Sequence, residues 1–406
     1  SENLISIVIP VFNDSADLKE LFSGLSLKNN SYSIEIIVVD SSHEIKAKDV
    51  IKSFIKNNQE INYKYISHDP CYAGKSMNLG IESAQGDYIA FLDTKTKPVG
   101  EWPYNYVELI KSRKIDVVFG STKYEAQTKF QKILKATSYG QIFHETVPGS
   151  VIKKDKLQKI NCFRENIRAS YDLVWRNEAK EKLNWLKPIF QSIKYSSLPK
   201  NLFETIKKYF IYSLHTANSD VQLGVKQTYL SLLLILSLFL VPRWNYLLTG
   251  WDTHPLYIAD VTKIFLFSIL LLLGITLLIN RFTPRKGGNQ ILLNSLKFIT
   301  FILFSFFVYN WNAVIANWIE SAVLYVPHIT KIYLGSLFLA SIVYRGFLLP
   351  IKREESYSFL FPFRWIKIGL LGLLLDLIKL PGYTLGAFIS IFRESINIKG
   401  KSQGNL

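Results

Sequence analysis

The stretch FLDTKTKP, residues 91–98, sets a carboxylate and an ammonium two residues apart, with Asp93 closing a short apolar run and Lys95 following it. Asp40 closes a second such run, IEIIVV at 34–39, and Pro10 closes a third, LISIVI at 4–9. A carboxylate at a strand end can accept hydrogen bonds from a ligand or help to hold a divalent cation. A lone carboxylate beside an ammonium is a poor magnesium site. A fixed ammonium, however, brings positive charge and three donors, which suits an anion whose charge grows as a bond breaks. At ~4 Å and an effective dielectric of ~20, one such charge pair is worth about 4 kcal/mol before desolvation. Acids are also common in ordinary strand-end turns, and Lys95 with Lys97 also suits a solvated basic loop. The residue types alone leave both readings open.

The elements that would position these groups are legible from the pattern. Short, nearly continuous runs of Ile and Val, with YIAFL at 88–92 as the third, suit strands buried on both faces of a parallel sheet. Between the first two, DSADLKELFSGLSL places apolar residues at 18, 21, 22, 25 and 27, mostly helical spacing, with Asp14 or Ser15 available as a cap. Strand, helix and strand in this order predict an α/β layered fold. Ligands of such sheets bind at the carboxyl ends of the strands, where Pro10 to Asn13, Asp40 and Asp93 fall. AGKS at 73–76 is no phosphate-binding P-loop, because Asp69 stands where that loop needs its first glycine.

Four segments in order carry a family resemblance: PVFNDSADLKELFSGL, VVDSS, AGKSMNLGIESAQGDYIAFLD and GSVIKKDKLQKINCFRENIRASYD. Over roughly residues 4–180 the chain resembles family-2 glycosyltransferases with a GT-A fold. The resemblance implies a Rossmann-like α/β nucleotide-sugar domain that transfers a sugar with inversion, usually with Mg or Mn. It also assigns roles. Pro10, Phe12 and Asn13 match the turn that packs base and ribose, and Asp40 the acid that bonds the base, with Ser41 in place of a second acid. Gly74, Lys75 and Asn78 match a loop and helix start beneath the nucleotide, with Met77 where many members carry Arg. Asp93 matches the first acid of Asp-x-Asp and is the one candidate metal ligand left there, because Lys95 replaces the second. The sequence therefore predicts reduced or no metal dependence, or else a lineage that has lost its chemistry. Asp172 matches the catalytic base, with Tyr171 in place of the acid before it. Glu165 and Arg176 fall on the acceptor side.

The 406 residues carry a net charge of +16 and divide into a globular first half and a strongly apolar second half. Such a charge suits anionic headgroups and anionic substrates. The basic residues are scattered and no nucleic-acid-binding motif accompanies them, so nucleic acid is not an expected partner. Cys71 and Cys162 are too few and too far apart for a zinc signature or a disulfide framework, and reduced thiols in a cytosolic domain are expected. No basic stretch followed by an apolar run opens the chain, so no signal peptide is expected.

Four stretches approach the ~20 residues that cross a bilayer, at about 223–242, 258–280, 291–311 and 330–350. Arg281, Arg285 and Lys286 lie between the second and third, and Lys352, Arg353, Arg364 and Lys367 follow the fourth. The loop from Trp244 to Pro255 and residues 312–328 hold no Lys or Arg, which predicts a cytoplasmic catalytic domain on an integral membrane protein. The sequence thus divides into a GT-A domain at 1–197, an interfacial amphipathic helix at 198–222, an all-α membrane domain at 223–350, and a cytoplasmic segment at 351–406. In the last, Pro381-Gly382 splits 366–380 from 383–392, which favours re-entrant or surface helices over a fifth crossing.

The leading expectation is an enzyme that moves one sugar from a UDP- or GDP-sugar to a lipid-linked acceptor, a polyprenyl phosphate or a lipid-linked glycan. The Gln-x-x-Arg-Trp motif of processive synthases is absent, which favours single transfer. A catalytically silent nucleotide- or glycan-binding scaffold is the alternative, motivated by Ser41, Met77 and Lys95. A transporter has little support, since the apolar stretches carry few polar groups. The sequence does not set an oligomeric state.

Overall fold

A computed structural model of the chain describes residues 3–25, 29, 31–43, 47–58, 61–188, 190–217 and 329–402. The first three stretches expected to span a membrane, at 223–242, 258–280 and 291–311, lie outside the described residues. The chain divides into two compact units, residues 1–221 with 342–406, and residues 222–341. The second unit is described from residue 329 on, where it contains most of helix α8 (Ile329–Val343).

The first unit is built on one mixed sheet. Among the described residues its strands are β1 (Leu4–Val11), β2 (Ser33–Asp40), β3 (Asn62–Ser67), β4 (Tyr88–Phe91), β5 (Thr96–Pro98), β6 (Val117–Tyr124), β7 (His144–Lys153), β8 (Trp185–Leu186) and β9 (Ile193–Tyr195). Their order is β3-β2-β1-β4-β7-β6-β9-β5, with β8 on β6. β1 to β4 run parallel, as the Ile/Val runs predict for β1, β2 and β4, with β3 a strand that those runs did not include, and β7 then pairs antiparallel with both β4 and β6. Helices α1 (Ser15–Ser23), α2 (Ala47–Asn57), α3 (Ala73–Ser83), α4 (Tyr104–Arg113), α5 (Lys129–Ser138), α6 (Tyr171–Lys182) and α7 (Leu202–Thr216) complete the first part of the chain.

Alternate residues of each parallel strand feed two separate cores, which is why these strands are apolar on both faces. Ile5, Ile7, Ile9, Ile36 and Val38 pack with Leu18, Leu21 and Phe22 of α1 and with Tyr106, Val107 and Ile110 of α4. Val8, Ile37, Val39, Ile89 and Phe91 pack with Met77 of α3 and with Phe163, Trp175 and Ala179. Met77, where the family often has Arg, is thus a core residue. One acid is also buried here: Glu35 accepts from the Ser6 hydroxyl at 2.6 Å and the Gln85 N–H at 2.9 Å, and pairs with Lys64 at 3.0 Å.

The C-terminal segment corrects the sequence reading. The helix expected at 198–222 spans Leu202–Thr216 among the described residues, and it packs along a helix of the C-terminal segment. That partner, α11 (Arg364–Ser402), is one helix with Pro381 inside it, not two pieces split at Pro381-Gly382. The reason is close packing across the break: a Cβ on Gly382 would lie 2.0 Å from Ser213 Oγ, and one on Gly386 2.2 Å from Leu214 O. Leu371 and Leu375 of α11 share a cluster with Leu134 of α5, so residues 364–375 belong to the core of the first unit.

Among the described residues no helix is long and apolar enough to cross a membrane. The fourth expected span, 330–350, is helix α8 followed by a wide helical turn at Tyr344–Leu348 and the short helix α9 (Leu349–Lys352). Its last residues are docked on α11, where a Cβ on Gly346 would lie 1.9 Å from Trp365 O and Arg345 meets Asp376 at 2.7 Å. A short helix α10 (Tyr357–Leu360) links α9 to α11.

Candidate active site

The register of the sheet brings the expected residues to one edge. Val11 is level with Asp40 across β1 and β2, and Val8 with Phe91 across β1 and β4. The turns after β1, β2 and β4 therefore meet at the carboxyl end. Pro10 is the last but one residue of β1, opposite Val39. Asn13 sits at φ +56°, donates its N–H to Ser42 Oγ at 2.7 Å and accepts the His43 N–H at 3.2 Å. These bonds tie the first turn to the second and leave the Phe12 ring 44% exposed, edge-on to His43 at 5.6 Å. Buried Asp40 accepts from Tyr65 Oη at 2.9 Å and from the Ser42 N–H at 3.0 Å, one bond on each oxygen. Buried Ser41, in the place of the family's second acid, donates to Val11 O at 3.2 Å.

Asp93 closes its own turn, accepting from the Lys95 N–H at 3.0 Å and from the Thr94 hydroxyl at 3.3 Å, both on Oδ1. The Lys95 ammonium lies 3.6 Å from Asp14 Oδ2. Asp14 does occupy the N-cap position of α1, yet its side chain makes no cap bond and turns to Lys95 and Thr94 instead. Lys97 pairs with Glu20 of α1.

Beyond this edge opens a cleft of about 720 Å³, lined by Asp14, Asp93, Lys95, Arg168, Lys208 and Tyr212 among others. Lys208 belongs to α7 and lies 5.7 Å from the ring centroid of Tyr195 and 5.5 Å from that of Tyr212. Its pKa is lowered to about 8, first by burial and then by the nearby Lys95 ammonium, with Asp93 opposing both. A half-buried ammonium with another nearby is poised to take an anion.

Asp172 stands in the first turn of α6, after Ser170 at φ +69°. Burial pushes its carboxyl above the ordinary value. Backbone N–H groups and Arg176 pull it back, and the charge of Asp93 adds to the rise. Asp93 and Asp172 both act on the phenols of Tyr124, Tyr171 and Tyr212, so the two acids share one neighbourhood. A raised carboxylate is the better proton acceptor.

Gly74, Lys75 and Asn78 clamp residues 163–165. Asn78 accepts the Phe163 N–H and donates to Phe163 O and to Glu165 Oε1, each at 2.9 Å. Lys75 meets Glu165 Oε2 at 3.0 Å, and the bond from Asn78 leads the causes that hold the Glu165 carboxyl low. Gly74 is required by proximity, since a Cβ there would lie 2.2 Å from Arg164 O. Phe163 in turn stacks on Trp175 of α6 at 4.8 Å, so the clamp sets the helix that carries Asp172. Arg176 is held to Glu145, donating to its carbonyl at 2.7 Å and facing its carboxylate at 3.3 Å, where Lys180 joins at 2.6 Å.

Among the described residues no three His, Cys, Asp or Glu side chains form a group able to hold a metal ion. Asp93 has one oxygen engaged in its own turn and the Lys208 ammonium near it, which does not fit a magnesium or manganese ligand set. Sequence reasoning missed Lys208, Tyr212, Tyr195 and Arg168 of the cleft. The i, i+4 spacing of Lys208 and Tyr212 on one helix face was the signal available for the first two.

The family described as "Glycosyl transferase family 2" matches residues 6–172. Glycosyltransferase AglE of Haloferax volcanii is 22% identical over 189 residues, which are 44% of this chain and 61% of that protein. An uncharacterized glycosyltransferase of Haemophilus influenzae is 36% identical over 92 residues, 22% of this chain and 36% of that protein. The chain thus spans less than two thirds of either relative. Among solved structures, S. aureus TarS 1–349 in complex with UDP is similar at TM-score 0.38 and 16% identity, over 55% of this chain and 68% of that one. The mannosyltransferase PcManGT from Pyrobaculum calidifontis, in complex with GDP-Man and Mn2+, is similar at TM-score 0.44 and 11% identity, over 93% of this chain and 86% of that one. The family match thus falls on residues 6–172, whose strand ends line the cleft.

Proposed function

We propose that this chain is an inverting glycosyltransferase that moves one sugar from a UDP- or GDP-sugar to a lipid-linked acceptor, on an integral membrane protein with a cytoplasmic catalytic domain. The observation that carries the reaction is the meeting of Asp93, Lys95 and Lys208 at the strand ends, with Asp172 in the same neighbourhood. Lys95 and Lys208, with exposed Arg168 beside them, hold the donor diphosphate. Their charge is worth most as the sugar bond breaks and the leaving diphosphate becomes more negative. Asp40 receives the base, the exposed Phe12 ring packs against it, and Asp93 meets ribose or diphosphate. Asp172 takes the proton from the acceptor hydroxyl as that oxygen attacks the anomeric carbon. An acceptor that is already an ionised phosphate asks less of Asp172. No step is assigned to a metal, because the residues present do not fit one.

The membrane part of the proposal rests on the apolar stretches at 223–242, 258–280 and 291–311 and on the Lys and Arg residues that flank them. The test is nucleotide release by the purified full chain in detergent, from a panel of UDP- and GDP-sugars with a polyprenyl phosphate. Release that requires both one donor and the acceptor supports transfer. Nucleotide binding with no release from any donor would favour the silent scaffold.

A further inference from the structure

A second cavity, of about 660 Å³, opens between α5 and residues 355–367 and shares no lining residue with the cleft. Its charged lining is Lys129, Lys132 and Lys135 from α5, Arg364 and Lys367 from α11, and one acid, Glu355. The charge of that acid acts on Lys135, against the burial that lowers the lysine's pKa. Glu355 is buried and accepts from Gln141 Nε2 at 3.1 and 3.2 Å, while Gln141 Oε1 accepts from Lys135 at 2.8 Å. Among the described residues Lys129, Lys132, Arg364 and Lys367 have no acidic partner.

The arrangement is costly without an anion. Lys129, Lys132 and Lys135 follow one another at i, i+3 and i+6, where like charges repel along one helix face. Lys129 opens α5 and Lys132 lies in its first turn, the end whose dipole disfavours cations. The helix start is nonetheless fixed by a reciprocal cap, with Thr128 Oγ1 accepting the Gln131 N–H and Gln131 Oε1 accepting the Thr128 N–H, each at 3.1 Å. The facing wall is fixed too: the Gln141 N–H donates to Arg353 O at 2.8 Å, and Arg353 donates to Thr137 O at 2.5 Å. The fold therefore fixes the two backbones from which these cations, exposed but for half-buried Lys135, project.

The segment that supplies the second wall also carries exposed aromatic rings. Tyr357 is 61% exposed, Phe361 50% and Phe363 69%, and Tyr357 and Phe361 lie 6.2 and 5.8 Å from Phe347. A soluble anion needs only the charges. A lipid headgroup also needs an apolar rim that sits among the first acyl carbons, and aromatic rings beside Lys and Arg supply it.

We infer that this cavity binds the phosphate of an anionic lipid headgroup, seating the catalytic domain against the bilayer surface. This rests on the proposed function only for the presence of a membrane. The test is thermal unfolding of the full chain in neutral detergent at 0.15 M salt, roughly the physiological ionic strength. Short-chain dihexanoyl phosphatidic acid is compared with dihexanoyl phosphatidylcholine and with inorganic phosphate. Phosphatidic acid is expected to raise Tm by about 3 °C near saturation, with little effect from the other two. The rise is expected to vanish in Lys132→Gln/Lys367→Gln and in a second pair, Lys129→Gln/Arg364→Gln, and to persist in Lys208→Gln, which alters only the cleft. An equal rise with inorganic phosphate, no rise with phosphatidic acid, or a rise kept in both double variants would overturn the inference. UDP and GDP are run on the same samples: loss of their effect in wild type would count against the nucleotide cleft and leave the headgroup result standing.

Discussion

Lys208 gives the cleft a pH dependence whose size can be worked out. Its pKa is lowered from 10.5 to about 8, with burial as the first cause and the Lys95 ammonium as the second. Below pH 8 the group is charged and can hold a diphosphate; as pH rises through 8 the charge is lost. A bound diphosphate restores the ordinary value by pairing with the ammonium, so binding at high pH must take up a proton. The free-to-bound factor is then about 1.1 at pH 7 and about 11 at pH 9, so nucleoside diphosphate should bind about tenfold more weakly at pH 9 than at pH 7. The groups that face Lys208 do not imitate this change. The phenols of Tyr195 and Tyr212 are both raised, first by burial, and stay neutral across the window. The ligand phosphate has its second ionisation near 6 and is charged throughout. The assay is calorimetric titration of the full chain with UDP and with GDP from pH 7 to pH 9. Lys208→Arg should keep the affinity and flatten the profile, and Lys208→Met should lower affinity at pH 7 and flatten it too. A flat wild-type profile, or the wild-type slope surviving in Lys208→Met, would refute the reasoning.

The other expectations concern single groups. Asp172→Asn should fold normally and lose about 10²–10⁴-fold of transfer to a hydroxyl acceptor, and a loss within tenfold would remove Asp172 as the base. Lys95→Ala should cost more activity than chelator does, and Lys95→Asp with added Mn should restore a metal-dependent site. Full loss in chelator, with Lys95→Ala near wild type in excess metal, would make Lys95 a bystander. Asn78→Ala should lower stability by about 1–3 kcal/mol, because it leaves both backbone groups of buried Phe163 unpartnered. It should also lower kcat more than it raises KM, since the clamp sets α6; unchanged denaturant midpoint and kcat would contradict the clamp. For Glu35, desolvation pushes the carboxyl up, but bonds from Gln85, Ser6 and Lys64 outweigh it and hold it below 4.5. Its contribution is present above pH 4.5 and lost as pH falls through the lowered value. The Tm gap between wild type and Glu35→Gln should therefore narrow from pH 7 to pH 3, and a constant gap would refute the assignment.

The parallel half of the sheet was legible because Ile and Val on both faces of β1, β2 and β4 leave few other uses for such runs. Their ends located Asp40 and Asp93 for the same reason. The turn to antiparallel pairing at β7 was not legible, since strand direction depends on where the chain returns and not on local pattern. Residues 74–78 carry a helical pattern that says nothing of whether their polar groups meet a ligand or the 163–165 loop. The structure puts them on the loop. The largest gap is Lys208. Its stretch mixes lysine with aromatics, and that composition suits a membrane surface as well as it suits a cleft wall. What decides between them is α11, about 170 residues further on, where Gly382 and Gly386 let the two helices touch. Pro381 misled for the same reason, because packing against α7 holds the helix across the break.

The most direct test of the proposed site is a structure of the full chain with UDP or GDP bound, at a resolution that places the phosphates. The account predicts the base against Asp40 and the diphosphate within ion-pair distance of both Lys95 and Lys208, with Arg168 beside it. A nucleotide seated outside the cleft, or a diphosphate held through a metal on Asp93 with both lysines turned away, would contradict it.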